Sequence, residues 1–292
     1  MKSLNYKKVD AFTSPSSSGN PAACIVLEPD RTLTREEMQR IAAAHKGFVS
    51  EVVYCTPKGP DLFALRYYSS ECEVEFCGHG TIACMYDLLQ NNPALACLPV
   101  VSIDTPKGRL TVYNELAALD AVFISAPTPE FLTTEVDAAA AADALGVSLD
   151  SMVRVHPIQL VNAGLNTLIV PIATLATVLR MAPDEEGLKA FCLAYEIDII
   201  LIFCKEVSGP DSFIRSRVFA PKFGYLEDKA TGSGNSALGY YMLKNELWDG
   251  RPIRIEQNAE PAAYNIVHLK TADGKVLFGG RATVKIEGKY YI

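Results

Sequence analysis

Two stretches of this chain repeat each other. Residues 77–89 open with Cys77-Gly78-His79-Gly80, and residues 231–243 open with Thr231-Gly232-Ser233-Gly234. Laid together, Gly78 meets Gly232, Gly80 meets Gly234, Ala83 meets Ala237, Tyr86 meets Tyr240 and Leu89 meets Leu243. Each copy reads as a glycine-flanked turn that opens an apolar helix. A second echo lies upstream at nearly the same spacing. Residues 35–55 read as helix, break and strand ending in Val52-Val53-Tyr54-Cys55, and residues 184–204 end in Leu201-Ile202-Phe203-Cys204. At that register Glu51 aligns with Ile200. Two echoes at nearly one spacing predict two halves on one plan, each organised on an apolar helix.

The remaining segments fit that plan. Strands are expected over 6–12, 22–27, 48–55 and 62–68, with a turn at Pro29 and Asp30. Thr34 and Glu37 form a capping box for a helix running to about His45, stopped by Gly47. A hairpin is expected over 100–114. The second half shows strands over 121–125, 168–171, 197–204, 213–219, 251–257, 275–278 and 282–287, with helices over 136–145 and 184–195. On 48–55, alternation puts Val49, Glu51, Val53 and Cys55 on one face. A carboxylate on an apolar face must be paired, neutralised or used.

Composition narrows the function. The 292 residues are 49% hydrophobic and 21% charged, with a net charge of −7 and no block of like charge. That is a globular profile, and it predicts neither a nucleic-acid nor a membrane partner. The eight cysteines have neither disulfide-framework nor paired-zinc spacing. The first twenty residues show no apolar core of signal-peptide type. Reduced thiols in the cytoplasm are therefore expected. No nucleotide-binding glycine pattern is present, so no cofactor is expected, and Cys72, Cys77, His79 and Cys84 match no metal spacing.

The chemistry points to the glycine-rich turns. A helix N-terminus presents free N–H groups and partial positive charge, a site for a small carboxylate. Glu51 is the leading acid/base candidate. Burial is expected to raise its pKa into a useful range, unless Arg66 pairs with it. His79, at a helix N-terminus, is expected to be neutral near pH 7. Asp228 lies just before the second helix, where it can stabilise the terminus or act as a hydrogen-bonding group.

Taken in order, these residues resemble the phenazine biosynthesis-like (PhzF-like) family, which shares the diaminopimelate epimerase fold. The matching pieces are Val9-Asp10-Ala11-Phe12-Thr13, Gly19-Asn20-Pro21, Ser50-Glu51, Cys77-Gly78-His79, Phe219-Ala220-Pro221, Glu227-Asp228, Ala230-Thr231-Gly232-Ser233, Gly279-Gly280 and Val284-Lys285-Ile286-Glu287-Gly288. The resemblance implies an α+β fold of two pseudo-symmetric domains, each a curled mixed sheet around a central helix, with the active site in the cleft between them. The first domain would take 1–117 and about 280–292, around a helix over about 79–90. The second would take 118–279, around a helix over about 233–245. The resemblance further implies a cofactor-independent isomerase, commonly a homodimer. Glu51 would shuttle the proton with His79, Asp228 and Ser233 as partners. Asn20, Cys77, Gly78, Gly80, Thr231, Gly232 and Gly234 would bind substrate. Val52, Gly80 and Lys229 depart from the residues the family usually carries there.

Three functions follow. The first is a proton-transferring isomerase (tautomerisation or allylic isomerisation) of a small carboxylic acid, with Glu51 as the acid/base group. The second is an amino-acid or hydroxy-acid racemase or epimerase. The related racemases use two cysteines, and here Thr231 stands opposite Cys77, which argues against a two-thiol route. The third is a non-catalytic small-anion binder of the same fold.

Overall fold

A computed structural model describes residues 3–28, 31–133 and 136–292. The turn expected at Pro29 and Asp30 lies outside the described residues. The chain divides into two compact units, Met1–Ser125 with Gly279–Ile292, and Ala126–Phe278. The first boundary lies later than the expected 117/118. The cause is the strand Ala121–Ser125, which pairs antiparallel with Gly108–Glu115 and so stays in the first sheet.

In chain order the first unit carries β1 (Ser3–Ala11), β2 (Asn20–Val26), α1 (Arg35–Ala43), β3 (Glu51–Pro57), β4 (Leu62–Ser69), β5 (Glu73–Val74), α2 (Gly78–Asn91), α3 (Pro93–Ala96), β6 (Val100–Thr105), β7 (Gly108–Glu115), α4 (Leu116–Leu119) and β8 (Ala121–Ser125). The chain then runs through β9 (Glu130–Leu132), α5 (Ala138–Ala144), β10 (Gln159–Asn162), β11 (Asn166–Pro171), α6 (Leu175–Arg180), α7 (Glu185–Ala194), β12 (Ile199–Cys204), β13 (Ile214–Phe219), β14 (Glu227–Asp228), α8 (Gly232–Lys244), β15 (Ile253–Gln257) and β16 (Asn265–Ala272). It returns to the first unit within β17 (Lys275–Gly280) and ends in β18 (Ala282–Tyr291).

The fold is α+β, with a mixed sheet. In the first unit β1 pairs antiparallel with β2 and β18, and β2 runs parallel to β3 with Ala22 opposite Glu51. β4 pairs antiparallel with β3 and β5 and parallel with β6. α2 packs against β1, β2, β3, β8 and β18 and is buried nearly all round, as its apolar sequence requires. α1 covers the opposite face. Its Met38 and Ile41 join Val52, Tyr54 and Tyr68 in one apolar cluster. The Thr34–Glu37 capping box is present.

β3 begins at Glu51, three residues later than expected. Val49 N–H donates to the His45 carbonyl at 3.2 Å, which keeps 48–50 in the turn after α1. Inside the strand both faces are buried. Val52 and Tyr54 face α1, while Val53 lies against Gly80 of α2. Glu51, two residues from Val53, therefore points to the α2 side.

The second unit repeats the order. β11 runs parallel to β12, β12 antiparallel to β13, and β13 antiparallel to β14 and parallel to β15. α8 packs against β10, β11, β12 and β16. α5, α6 and α7 bury Ala141, Val178, Leu188 and Cys192 against Leu168, Val170, Ile200 and Ile202. The repeat extends to charge. Arg66 on β4 pairs with Glu73 on β5, and Arg217 on β13 pairs with Glu227 on β14 at 2.8 Å. Each pair holds the short strand that leads into a central helix.

Candidate active site

In the first unit three sequence-predicted residues converge. Cys77 is the N-cap of α2, and its Sγ accepts from the Gly80 N–H at 3.3 Å. Gly80 has no room for a side chain. A Cβ there would lie 2.7 Å from Val53 Cγ2 and 3.0 Å from Cys77 Sγ. This close approach brings the α2 N-terminus down onto β3, beside Glu51. His79 Nε2 lies 3.2 Å from Glu51 Oε2, and Cys77 Sγ lies 3.6 Å from the same oxygen. The His79 and Glu51 side chains are 13% and 20% exposed, so the pair is not sealed from solvent.

The electrostatics reverse two expectations. Burial does push the Glu51 carboxyl up, but hydrogen bonding and charge from His79, with the Cys77 thiol, bring it below its ordinary value. Burial would lower the His79 pKa. Contact with the Cys77 sulfur and the Glu51 carboxylate instead holds it well above its ordinary value. Both shifts favour an imidazolium–carboxylate pair, with the Glu51 carboxylate 3.2 Å from the ring. Arg66 is not the partner of Glu51, since it is engaged with Glu73. Burial raises the Cys77 pKa, so it is a thiol at neutral pH.

Sulfur, imidazole and carboxylate atoms all lie within 4.8 Å of one another. Cys77 Sγ is 3.5 Å from Nδ1 and 3.8 Å from Nε2 of His79. The present arrangement is an ion pair with a thiol beside it.

The linkage signs set a pH window. Glu51, lowered from 4.5, contributes stability above that value and loses it as pH falls through its folded pKa. His79, raised from 6.5, contributes fully below that value and loses it as pH rises through its folded pKa. The pair therefore holds across neutral pH. An NMR titration of the His79 ring is expected to show the imidazolium persisting well above pH 6.5. A midpoint at or below that value would remove the ion pair.

The second unit forms its own polar cluster. Asp228, on β14, accepts a 2.5 Å hydrogen bond from Thr231 Oγ1. Thr231 is the N-cap of α8, yet its side chain does not cap the helix; its hydroxyl oxygen accepts from Gln257 Nε2 and its proton goes to Asp228. Gly232, Ser233 and Gly234 form the first turn of α8. Gln257 and Asn235 complete the cluster from beneath. Sequence reasoning assigned no role to either residue, and Gln257 stands in no motif. Asn20 begins β2 and is buried, opposite Ala11 on β1.

Comparison with known proteins gives the family and the fold. The sequence model of the family described as phenazine biosynthesis-like protein (PhzC-PhzF) matches residues 9–288. The uncharacterized isomerase YfhB of Bacillus subtilis is 30% identical over 290 residues, covering 99% of this chain and 96% of the relative. The crystal structure of a PhzF-family phenazine biosynthesis protein from Bacillus anthracis superposes with a TM-score of 0.83 at 25% identity, covering all of both chains. A hydroxyproline epimerase from Agrobacterium vitis shares the fold, with a TM-score of 0.56 at 12% identity over 99% of this chain and 91% of that one.

Proposed function

The chain belongs to the phenazine biosynthesis-like family of isomerases, and on that premise we propose that it moves a proton on a small carboxylic acid without a cofactor. The observation that supports this most is the Glu51–His79 pair at the N-terminus of α2. Ionised Glu51 takes a proton from a carbon of the substrate. The C–H electron pair moves into the adjacent π-system as that bond breaks. Glu51 then returns the proton to another atom, so substrate and product are isomers. His79, still protonated, donates to the developing negative charge, a preorganised donor worth about 3–4 kcal/mol. The Gly78 N–H, at the start of α2, would bind the substrate carboxylate, since the Gly80 N–H already donates to Cys77 Sγ.

A resting thiol is a poor base, so the raised Cys77 pKa weighs against a racemase that starts from a Cys77 thiolate. In the second unit, the Thr231 hydroxyl is committed to Asp228.

The reading is tested by incubating the protein with a pool of small carboxylic acids in heavy water. One acid is expected to gain deuterium and to change its double-bond position or tautomer. Cys77→Ser is expected to retain most of that activity. Exchange at a stereocentre that vanishes in Cys77→Ser would replace this reading with the racemase. Ligand-induced thermal stabilisation with no exchange into any bound acid would replace it with a binding protein.

A further inference from the structure

Gln257 closes β15 with its side chain fully buried, in a row with Ser216 on β13 and Asn265 on β16. Both ends of its amide are used. Oε1 accepts from the Thr231 backbone N–H at 3.0 Å and from Asn235 Nδ2 at 2.6 Å. Nε2 donates to the Asp228 carbonyl at 3.0 Å and to Thr231 Oγ1 at 3.2 Å. A backbone N–H can only donate and a backbone carbonyl can only accept, so these two groups fix which end of the amide is which. Thr231 Oγ1 must then accept from Gln257, and its single proton is left for Asp228 Oδ2 at 2.5 Å.

We propose that Gln257 is a positioning residue, setting the direction of the Thr231 hydroxyl and through it the orientation of the Asp228 carboxylate. The proposal rests on the proposed proton transfer and on the role the family resemblance implies for Asp228 in it, as a partner of Glu51. Broken symmetry supports a functional over a scaffold role. By strand and helix register, Asp228 aligns with Val74, Ser216 with Leu65 and Asn235 with Thr81. The relay of buried amides occurs in the half that has the carboxylate, and the matching positions of the other half are apolar or a single hydroxyl. The N-caps differ in the same sense. Cys77 caps its helix through Sγ, whereas the Thr231 side chain is turned away from its helix toward Asp228.

Gln257→Glu nearly preserves shape, but a carboxyl group has at most one proton and cannot donate to both the Asp228 carbonyl and Thr231 Oγ1. It is expected to lower kcat between about ten- and a hundredfold, the scale of a small misplacement, with KM changed less than about threefold. Thr231→Val is expected to reproduce that loss, and Thr231→Ser to retain activity. Gln257→Glu placed on Thr231→Val is expected to add little. The Thr231 pair leaves Gln257 intact, so the test survives poor folding of Gln257→Glu. The carboxyl carbon signal of Asp228, assigned through Asp228→Asn, is expected to shift in Gln257→Glu and Thr231→Val and to stay in place in Thr231→Ser. An unmoved signal overturns the proposal. A signal that moves while turnover is untouched in every variant overturns instead the reading that Asp228 is a partner of Glu51 in the proton transfer.

Discussion

Glu51→Gln is expected to lower turnover by at least about 10³-fold, within the range that a positioned acid/base group supplies. The amide matches the carboxylate in size and can still accept from His79 Nε2, now 3.2 Å from Oε2. It cannot take a proton from carbon. Stability is expected to change little. The variant loses an ion pair, but it also relieves the burial that opposes the Glu51 charge, and His79 can give up its proton, so no unpaired charge is left buried. The same change removes one of the two groups that raise the His79 pKa, beside the Cys77 sulfur, so the ring midpoint is expected to fall. The two readouts separate the roles. A fallen His79 midpoint with lost turnover assigns the proton transfer to Glu51. A fallen midpoint with deuterium exchange at the wild-type rate removes Glu51 from the chemistry.

The scaffold was largely legible because its signals are local. The Thr34–Glu37 capping box, the glycine-flanked helix starts and the paired echoes each depend on a few neighbouring residues. The repeat was a long-range signal that sequence alone carried, and the same strand order recurs around β3 and β12. β16 was missed although Val267 and Leu269 alternate there with His268 and Lys270. The charge states were misread too. Burial of Glu51 could be inferred from its apolar neighbours, but its partner could not. His79 is brought to it only when Gly80 lets α2 pack on Val53. A pKa depends on that contact more than on burial, so the expected directions for both groups were reversed. Gln257 was missed for the same cause, since its contacts with Thr231, Asn235 and Asp228 join residues far apart in sequence.

Gly232→Ala is expected to be the most destabilising single methyl that can be added to the second turn. A Cβ at Gly232 would lie 2.2 Å from Phe278 Cε2 and 2.5 Å from Cδ2. Phe278 is itself 2% exposed, so its ring has no space into which to move. Overpacking of this kind costs about 1–3 kcal/mol, and here the upper end is expected, which lowers Tm by roughly 6–12 °C for a unit of this size. Gly234 is the internal control. A Cβ there would meet Ile199 Cδ1 at 3.3 Å and Val218 Cγ2 at 3.4 Å, contacts that a slight rotamer adjustment absorbs. Gly234→Ala is therefore expected to cost less than about 1 kcal/mol, although both glycines belong to one motif. Pairing Gly232→Ala with Phe278→Leu is expected to recover part of the loss, a coupling that two independent defects would not show. If Gly232→Ala melts with the wild type, the ring of Phe278 does not set the position of the α8 N-terminus. If it melts early and the Phe278→Leu pair recovers, then Gly232 is required by packing. The N–H groups of Thr231 and Gly232 then owe their positions to an aromatic ring on a neighbouring strand as much as to the turn itself.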